Sequence, residues 1–352
     1  MRVLHVDAGR EYRGGQNQVR LLLRELAREP AVEQRLVTRR GSELARRVAA
    51  HGATLRGVPW GPSLDPRALW RLYLEIADFE PELLHAHDSH ALQLASWARR
   101  LAGGQPGKPS LVATRRVDFH VRRRSVWLHV DRVIAISDAV KAVLAADGLA
   151  TRDITVVPSG IDPDEVRHAA TRPLDIRARL GLAPAPGTRL AVNVAALVDH
   201  KDHATLIRAA AAARTACSTL HWAIAGEGER RRALMAEIAR LGVGDRVHLL
   251  GHVPEADALI GEADVFVMSS KEEGLGSVVL NALALGKPVV ATRGGGLPEI
   301  VPAQWTVPIG DAAALARKVV QALDHPSPFP LPARFTAPAM ARGVLAVYRS
   351  LV

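Results

Sequence analysis

Cysteine is nearly absent, with Cys217 the single example in 352 residues. An intrachain disulfide is thereby excluded, and so is any zinc site built on several thiolates. Cys217 itself is expected to be a small residue buried at the end of an alanine-rich helix. Aromatic residues make up only 4% of the chain. Neither a zinc-finger spacing nor an aromatic RNA-binding motif accompanies the basic residues, which argues against nucleic acid as a partner. No apolar run is long enough to span a bilayer. The start, Met1 to Asp7, has too short an apolar part for a signal peptide, so the expected location is cytoplasmic. Repeats and low-complexity tracts are also lacking, apart from alanine-rich helices such as Ala209 to Ala213.

What is present is enough chain for two α/β domains, nearly half of it apolar. Short apolar strands alternate with longer amphipathic helices, the pattern of parallel sheets covered on both faces. Val3 to Val6, Leu36 to Thr38, Leu83 to Ala86, Leu111 to Thr114, Arg132 to Ile136 and Ile154 to Val157 read as strands of a first domain. Leu190 to Val194, His221 to Ala225, Val247 to Leu249, Val265 to Met268 and Pro288 to Ala291 read as strands of a second. Two Rossmann-like halves are predicted, with a bend near Pro158 to Pro163 and a loop from Pro184 to Gly187. A last helix is expected over Ala339 to Leu351, just after Pro338.

The formal charge of +10 is unevenly spread. Arg115, Arg116, Arg122, Arg123 and Arg124 crowd one part of the first half, with Arg39, Arg40, Arg46 and Arg47 elsewhere in it. Anionic lipid or an anionic acceptor would answer to this, as would solvated helix faces of an arginine-rich chain.

The richest stretch runs from Glu272 to Thr292: an acidic pair, a turn with Gly274 and Gly276, a short apolar helix and a β-branched strand. The glycines let backbone approach a ligand and leave the first amides of the next helix unpaired, a place that attracts a diphosphate. Glu273 at the lip of the turn and Asn281 further along the helix are candidates to read sugar hydroxyls; the plainer alternative is a solvated acidic pair at a helix start. In the N-terminal turn, Gly14 and Gly15 precede a helix carrying Val19, Leu22, Leu23 and Leu26. That turn is no Walker A loop, because Gly15-Gln16 stands where Lys-Ser/Thr is required. Lys201 follows a strand and precedes a helix, where a cation stabilises charge developing on a phosphate. His85 and His87 share a strand face, but spacing places no further metal ligand, so no metal is expected.

These segments resemble the family 4 retaining glycosyltransferases, whose signature carries two Glu separated by seven residues. Glu273 matches the first, and the second falls on Asn281, a neutral acceptor at the position that contacts the nucleotide ribose in the family. Further similarity lies in Gly14-Gly15, in Asp131 to Ser137 followed by Val156 to Asp162, in Ala225 to Glu229, and in Gly294 to Glu299. The resemblance implies a GT-B fold, two Rossmann-like domains facing an interdomain cleft. It implies an acceptor-binding domain over 1–168, a nucleotide-sugar-binding domain over 169–335, and a terminal helix, 336–352, packed back on the first.

The function so implied is retaining transfer of a sugar from a nucleoside-diphosphate donor, the co-substrate, to a hydroxyl of a glycan or lipid-linked acceptor, with no tightly bound cofactor. Glu273 and Lys201 take the catalytic roles. Gly274, Leu275, Gly276, Asn281, Gly226, Glu227 and His200 fall to the donor. Gly14, Gly15, His87, Asp88, Arg116 and His120 fall to the acceptor or a phosphate, His120 in place of a histidine that the family has near the reacting sugar. The family also pairs its Lys with an upstream Arg, a position holding Ala196 here, and His200 is the nearby substitute. A peripheral contact with the anionic inner membrane face is the corresponding reading of the charge. A nucleotide-sugar epimerase or hydrolase, and a non-catalytic binding subunit, are the alternatives.

Overall fold

A computed structural model describes the chain except for residues 50–52, 62–64, 104–107, 122–124 and 183–186. Arg122, Arg123, Arg124 and most of the loop expected over Pro184 to Gly187 lie outside the described residues. The chain divides into two compact units, Met1–Gly160 with Ala333–Val352, and Ile161–Pro332. The boundary falls at Gly160 rather than after residue 168. Helix Pro163–Ala169 accounts for the difference, because it packs on helices Ala256–Gly261 and Ser277–Ala284 of the second unit.

In the first unit the described residues form a parallel sheet of β1 (Arg2–Asp7), β2 (Glu33–Arg39), β3 (Thr54–Val58), β4 (Leu83–Ala86), β5 (Ser110–Arg115), β6 (Arg132–Ala135) and β7 (Ile154–Val156). Their spatial order is β3-β2-β1-β4-β5-β6-β7. The second unit has β8 (Arg189–Val194), β9 (Leu220–Ala225), β10 (Val247–Gly251), β11 (Val265–Met268), β12 (Val289–Thr292) and β13 (Thr306–Val307), in the order β10-β9-β8-β11-β12-β13. Strands β4, β11 and β12 are buried at every residue, as a sheet covered on both faces requires. Strand order reverses between β1 and β4, and again between β8 and β11. Such reversals leave a crevice at the carboxyl ends of the two central strands, where open α/β sheets bind ligands.

Two strands were not expected from the sequence. β3 pairs with β2 at the sheet edge, and its Thr-Leu-Arg-Gly-Val has only Val58 fully buried, so no apolar run announces it. β13 spans two residues. The last helix is Ala337–Arg349, starting before Pro338 because proline is tolerated in a first turn. Cys217 lies beyond the end of helix His203–Ala213 and is only half-buried.

The terminal helix completes the first unit's core. Met340, Val344, Leu345 and Tyr348 pack with Leu21, Leu22 and Leu26 of helix Gly14–Leu26, with Val3 and Val112 of the sheet and with Val157 just after β7. Glycine is needed at two of these contacts. A Cβ at Gly343 would stand 2.8 Å from a Val157 methyl, and one at Gly160 would stand 2.4 Å from the Thr336 carbonyl oxygen. The buried Gln18 amide closes the same region, donating to the Gly160 carbonyl (2.8 Å) and accepting from its N–H (3.0 Å).

Tyr348 also reaches a buried polar cluster at the carboxyl ends of β1 and β4. Its hydroxyl meets His85 Nδ1 at 2.5 Å, and Thr114 Oγ1 meets His85 Nε2 at 2.7 Å. His5 Nδ1 and His87 Nε2 lie 3.1 Å apart, with the rings stacked. Burial holds His5 to a pKa of about 3 and keeps His85 and His87 well below the ordinary imidazole value. Neighbouring imidazoles and Arg116 add to the effect on His85 and His87. Asp7 beside them is pushed up to about 6 by burial and then by Asp88.

Opposite pH dependences follow. An unfolded histidine takes a proton near pH 6.5 (roughly), whereas these three refuse it when folded, so their stability is full above that pH and is lost as pH falls. Asp7 acts the other way, holding in the folded state a proton that the unfolded chain releases, so its contribution is lost as pH rises through about 6. With three groups against one, thermal stability of the first unit is expected to fall between pH 7.5 and 5, each histidine adding up to about 1.4 kcal/mol per pH unit. In melts across that range, His87→Gln should flatten the dependence relative to wild type and Asp7→Asn should steepen it. Identical slopes in all three proteins would contradict the assignment.

Candidate functional site

The second unit's crevice is built from the loops after β8, β11 and β12. After β8 the chain runs through a 3-10 turn, Asp199–Lys201, to Asp202, which adopts a left-handed φ of 46° and caps helix His203–Ala213 through its carboxylate. After β11 it passes Ser269 and Ser270 to Glu273 and enters helix Ser277–Ala284 through Gly276, at φ 88°. Hydrogen bonds lace the loops together. Lys271 N–H donates to the His200 carbonyl (2.8 Å), Ser269 Oγ donates to the Lys201 carbonyl (2.9 Å), and Thr292 Oγ1 donates to the Ser270 carbonyl (2.5 Å). Gly296 N–H donates to the Glu273 carbonyl (2.8 Å).

Across this reversal Lys201 Nζ lies 2.5 Å from Glu273 Oε2, which also accepts from Ser270 Oγ at 3.3 Å. The two side chains retain 16% and 14% of their exposure, so the pair is screened far less than a surface ion pair. Lys201, Glu273, His200 and Gly276, all named from the sequence, thus lie together at this reversal. Ser270 is a further participant that no motif announced.

Other expected donor residues stand differently. Leu275 is 1% exposed, so its side chain belongs to the core rather than to a ligand surface. Gly274 is buried beside it. Asn281 turns toward helix Ala256–Gly261, where its Nδ2 donates to Asp257 Oδ1 at 2.7 Å. Burial holds the Asp257 carboxyl above its usual range, and the Asn281 bond partly offsets this. Glu227 is exposed and faces Arg231 at 3.4 Å.

Gly226 is needed for packing. A Cβ there would fall 1.9 Å from the Ala195 carbonyl oxygen, with φ at 153°, while one at Gly228 would fall 2.4 Å from the Leu197 oxygen. Gly294 repeats the pattern 2.2 Å from the Ser270 oxygen. These obstacles are backbone and have no rotamer to give. Gly226→Ala should therefore push the loops after β8 and β9 apart and cost on the order of 2 kcal/mol or more, within the range for strained core substitutions. Urea denaturation should read the loss; unchanged stability would show that the loops separate freely.

In the first unit, Gly14 and Gly15 open helix Gly14–Leu26. Arg116 passes Gly15 and faces Asp7 and Asp88; burial brings its pKa down to about 10, so it stays cationic at neutral pH. Asp88 caps helix Ser89–Leu101 through His90 N–H and Ala91 N–H and accepts Ala8 N–H across the β1/β4 reversal. His87 is buried against His5 rather than turned to a ligand. His120 is exposed, held at 2.6 Å by Asp147, which removes it from the residues gathered at the strand ends. His5, His85 and His87 place one ring nitrogen each within 4.8 Å of one another, a spacing that could hold a metal ion. His85, however, spends both nitrogens on Tyr348 and Thr114, so coordination would break a buried hydrogen bond. His5 was missed as a member of this group because sequence spacing does not reveal strand register. Of the arginine-rich segments, Arg46 and Arg47 pair with Glu43, and Arg115 lies 5.1 Å from the Trp127 ring.

Comparison with known proteins follows the same division. Residues 12–165 match the family described as Glycosyltransferase Family 4, and residues 188–325 match Glycosyl transferases group 1. The lipopolysaccharide core biosynthesis glycosyltransferase LpsD of Rhizobium meliloti is 27% identical over 332 residues, 93% of this chain and 89% of that protein. The 2-deoxystreptamine glucosyltransferase of Streptomyces kanamyceticus is 32% identical over 203 residues, 56% of this chain and 52% of its own length. Among solved structures, Anabaena HepE in complex with UDP and glucose superposes with a TM-score of 0.81 at 18% identity, covering 99% of this chain and 100% of that one. That likeness shows the fold, GT-B. With both halves matched in order, the chain belongs to the group 1 glycosyltransferases.

Proposed function

We propose that this nucleotide-sugar-dependent glycosyltransferase transfers its sugar, with retention of configuration, to a hydroxyl of a glycan or lipid-linked acceptor. The second unit binds the donor in this reading, and the first binds the acceptor. The observation that carries it is the Lys201–Glu273 pair across the β8/β11 reversal. A diphosphate entering there competes with Glu273 for the Lys201 ammonium, and the released carboxylate becomes free to accept hydrogen bonds from sugar hydroxyls. Helix Ser277–Ala284 begins at the same loop, and its first amides add partial positive charge toward a phosphate. His200 lies in the same turn as Lys201, and Gly226 and Glu227 enter from β9.

Charge dictates the rest. As the bond from the anomeric carbon to the β-phosphate oxygen breaks, negative charge grows on the leaving diphosphate, and Lys201 stabilises it. The acceptor oxygen bonds to the anomeric carbon on the same face, and its proton passes to the leaving phosphate oxygen. The products are the glycosylated acceptor and the nucleoside diphosphate. Gly14, Gly15 and Arg116 lie at the first unit's strand ends, where an acceptor or phosphate would meet them.

A thermal-shift screen against uridine, guanosine, adenosine and cytidine diphosphate sugars selects the donor. With that donor, Lys201→Met should lower kcat by about 10² to 10³, the usual effect of removing an electrostatic stabiliser, while Glu273→Gln should weaken donor binding as well. Anomeric configuration of the product, read by NMR, should match that of the donor. Inversion would overturn the mechanism, and donor consumption without acceptor product would favour an epimerase or hydrolase.

The net charge of +10 supports a peripheral position at the anionic, cytoplasmic face of a membrane. No helix among the described residues is long and apolar enough to cross one. Sedimentation with vesicles containing anionic lipid should carry the protein down at low salt and release it as salt rises; failure to sediment at low salt would remove the membrane from the reading.

A further inference from the structure

The first unit has its own opening at the β1/β4 reversal. A cavity of about 590 Å³ lies at the carboxyl ends of β1 to β4, with Arg10, Arg39, Trp60, Gly61, Asp88 and His90 in its wall. The charges there are unbalanced in a specific way. The Arg39 guanidinium donates to the Trp60 carbonyl and, at 3.4 Å, to the Gly61 carbonyl, both neutral acceptors. Its Nε is buried and lacks a partner. Besides that buried Nε–H, one N–H on each of its Nη atoms remains for another acceptor. Arg10 is exposed and has no ion pair among the described residues. Burial and the proximity of Arg10 both lower the proton affinity of Arg39, with Asp65 partly opposing them.

The nearby carboxylates are already committed. Asp88 accepts from the amides of Ala8, His90 and Ala91. Asp65 accepts from the amides of Gly61 and Arg67 and from the Arg67 guanidinium. Two guanidiniums thus face one cavity with no carboxylate of their own, beside a tryptophan that is 6% exposed.

We propose that this cavity binds an anionic group on the acceptor, a sugar carrying a carboxylate or a phosphate, with Arg10 and Arg39 on the anion. The assignment rests on the transferase reading above and adds the substrate class to it. An anion relieves the Arg10–Arg39 repulsion and can accept from the Arg39 N–H groups that the two carbonyls leave over, whereas a neutral sugar leaves the repulsion in place.

The test is an NMR titration of the whole protein with glucose, glucuronic acid and glucose 6-phosphate. At least one anionic probe should bind ten times or more tightly than glucose, with an affinity that falls as salt rises; the better of the two identifies carboxylate or phosphate as the source. Arg10→Met and Arg39→Met should each weaken that binding roughly tenfold, and Lys201→Met should leave it unchanged. Arg10 is exposed, so its variant reads binding without disturbing the fold, whereas Arg39 also holds the Trp60 segment. Equal binding of glucose and the anions, no binding of any probe, an unaffected Arg10→Met, or loss in Lys201→Met would each overturn the proposal. The donor screen run on the same samples separates the two failures: donor binding without anion binding removes this inference alone, and absence of donor binding removes the transferase reading.

Discussion

Close backbone approach at the carboxyl edge of the second sheet is the constraint on which the candidate site depends. Gly226 and Gly228 let the loop after β9 lie against the carbonyls of Ala195 and Leu197, and Gly294 lets the loop after β12 lie against Ser270. No side chain fits at these points. With the loops so pressed, Lys271 and Ser269 can bond to the turn bearing Lys201, which brings its ammonium to Glu273. A charge pair with long side chains would otherwise cost side-chain entropy to hold in one geometry. Here the backbone carries the positioning, and the side chains have little left to lose.

The same topological event is handled by different chemistry in the first unit. Where β1 and β4 part, the strand ends carry imidazoles and carboxylates rather than a lysine–glutamate pair. Burying such groups is costly unless they are hydrogen-bonded. The structure meets that requirement from afar. Tyr348 on the terminal helix bonds to His85, Ala8 N–H to Asp88, and Gly9 N–H to Asp7. The terminal helix thus does more than add apolar area, since without Tyr348 a buried His85 nitrogen would lose its partner. His5 Nε2 and His87 Nδ1 are among the buried polar atoms that lack a partner within the described residues, so this cluster is incompletely satisfied.

Much of this was readable in the sequence, for a physical reason. Strands buried on both faces give mainly apolar runs, so β1, β4, β8, β11 and β12 stood out, and the glycines after them marked the loops. Glu273 and Lys201 could be singled out because each sits where a strand ends and a helix begins. Partners set by register or helix packing could not. His5 and His87 are separated by 82 positions and meet because β1 and β4 are neighbours. Asn281 was expected to read a ligand, but its amide engages Asp257, a contact fixed by how two short helices pack. Edge strand β3 escaped because an edge needs no apolar run, and with it went Trp60, which completes the cavity wall.

The Lys201–Glu273 pair bears on how a donor would be admitted. A buried ammonium without a counter-ion would be expensive before any ligand arrives, and so would a buried carboxylate. Pairing them removes both costs while leaving neither charge committed to a fixed partner such as a backbone amide. An incoming diphosphate then exchanges one anion for another at Lys201, and the carboxylate so released faces hydroxyls instead of an apolar wall. The net electrostatic change on binding is smaller than either half of the exchange, so affinity is set by the difference between two strong interactions. The cavity of the first unit has no such internal counter-ion. Its carboxylates are fixed by amides, so an anion arriving at Arg10 and Arg39 displaces no protein partner. Ionic strength should therefore weigh more heavily on that site than on the donor site, where one charged contact replaces another.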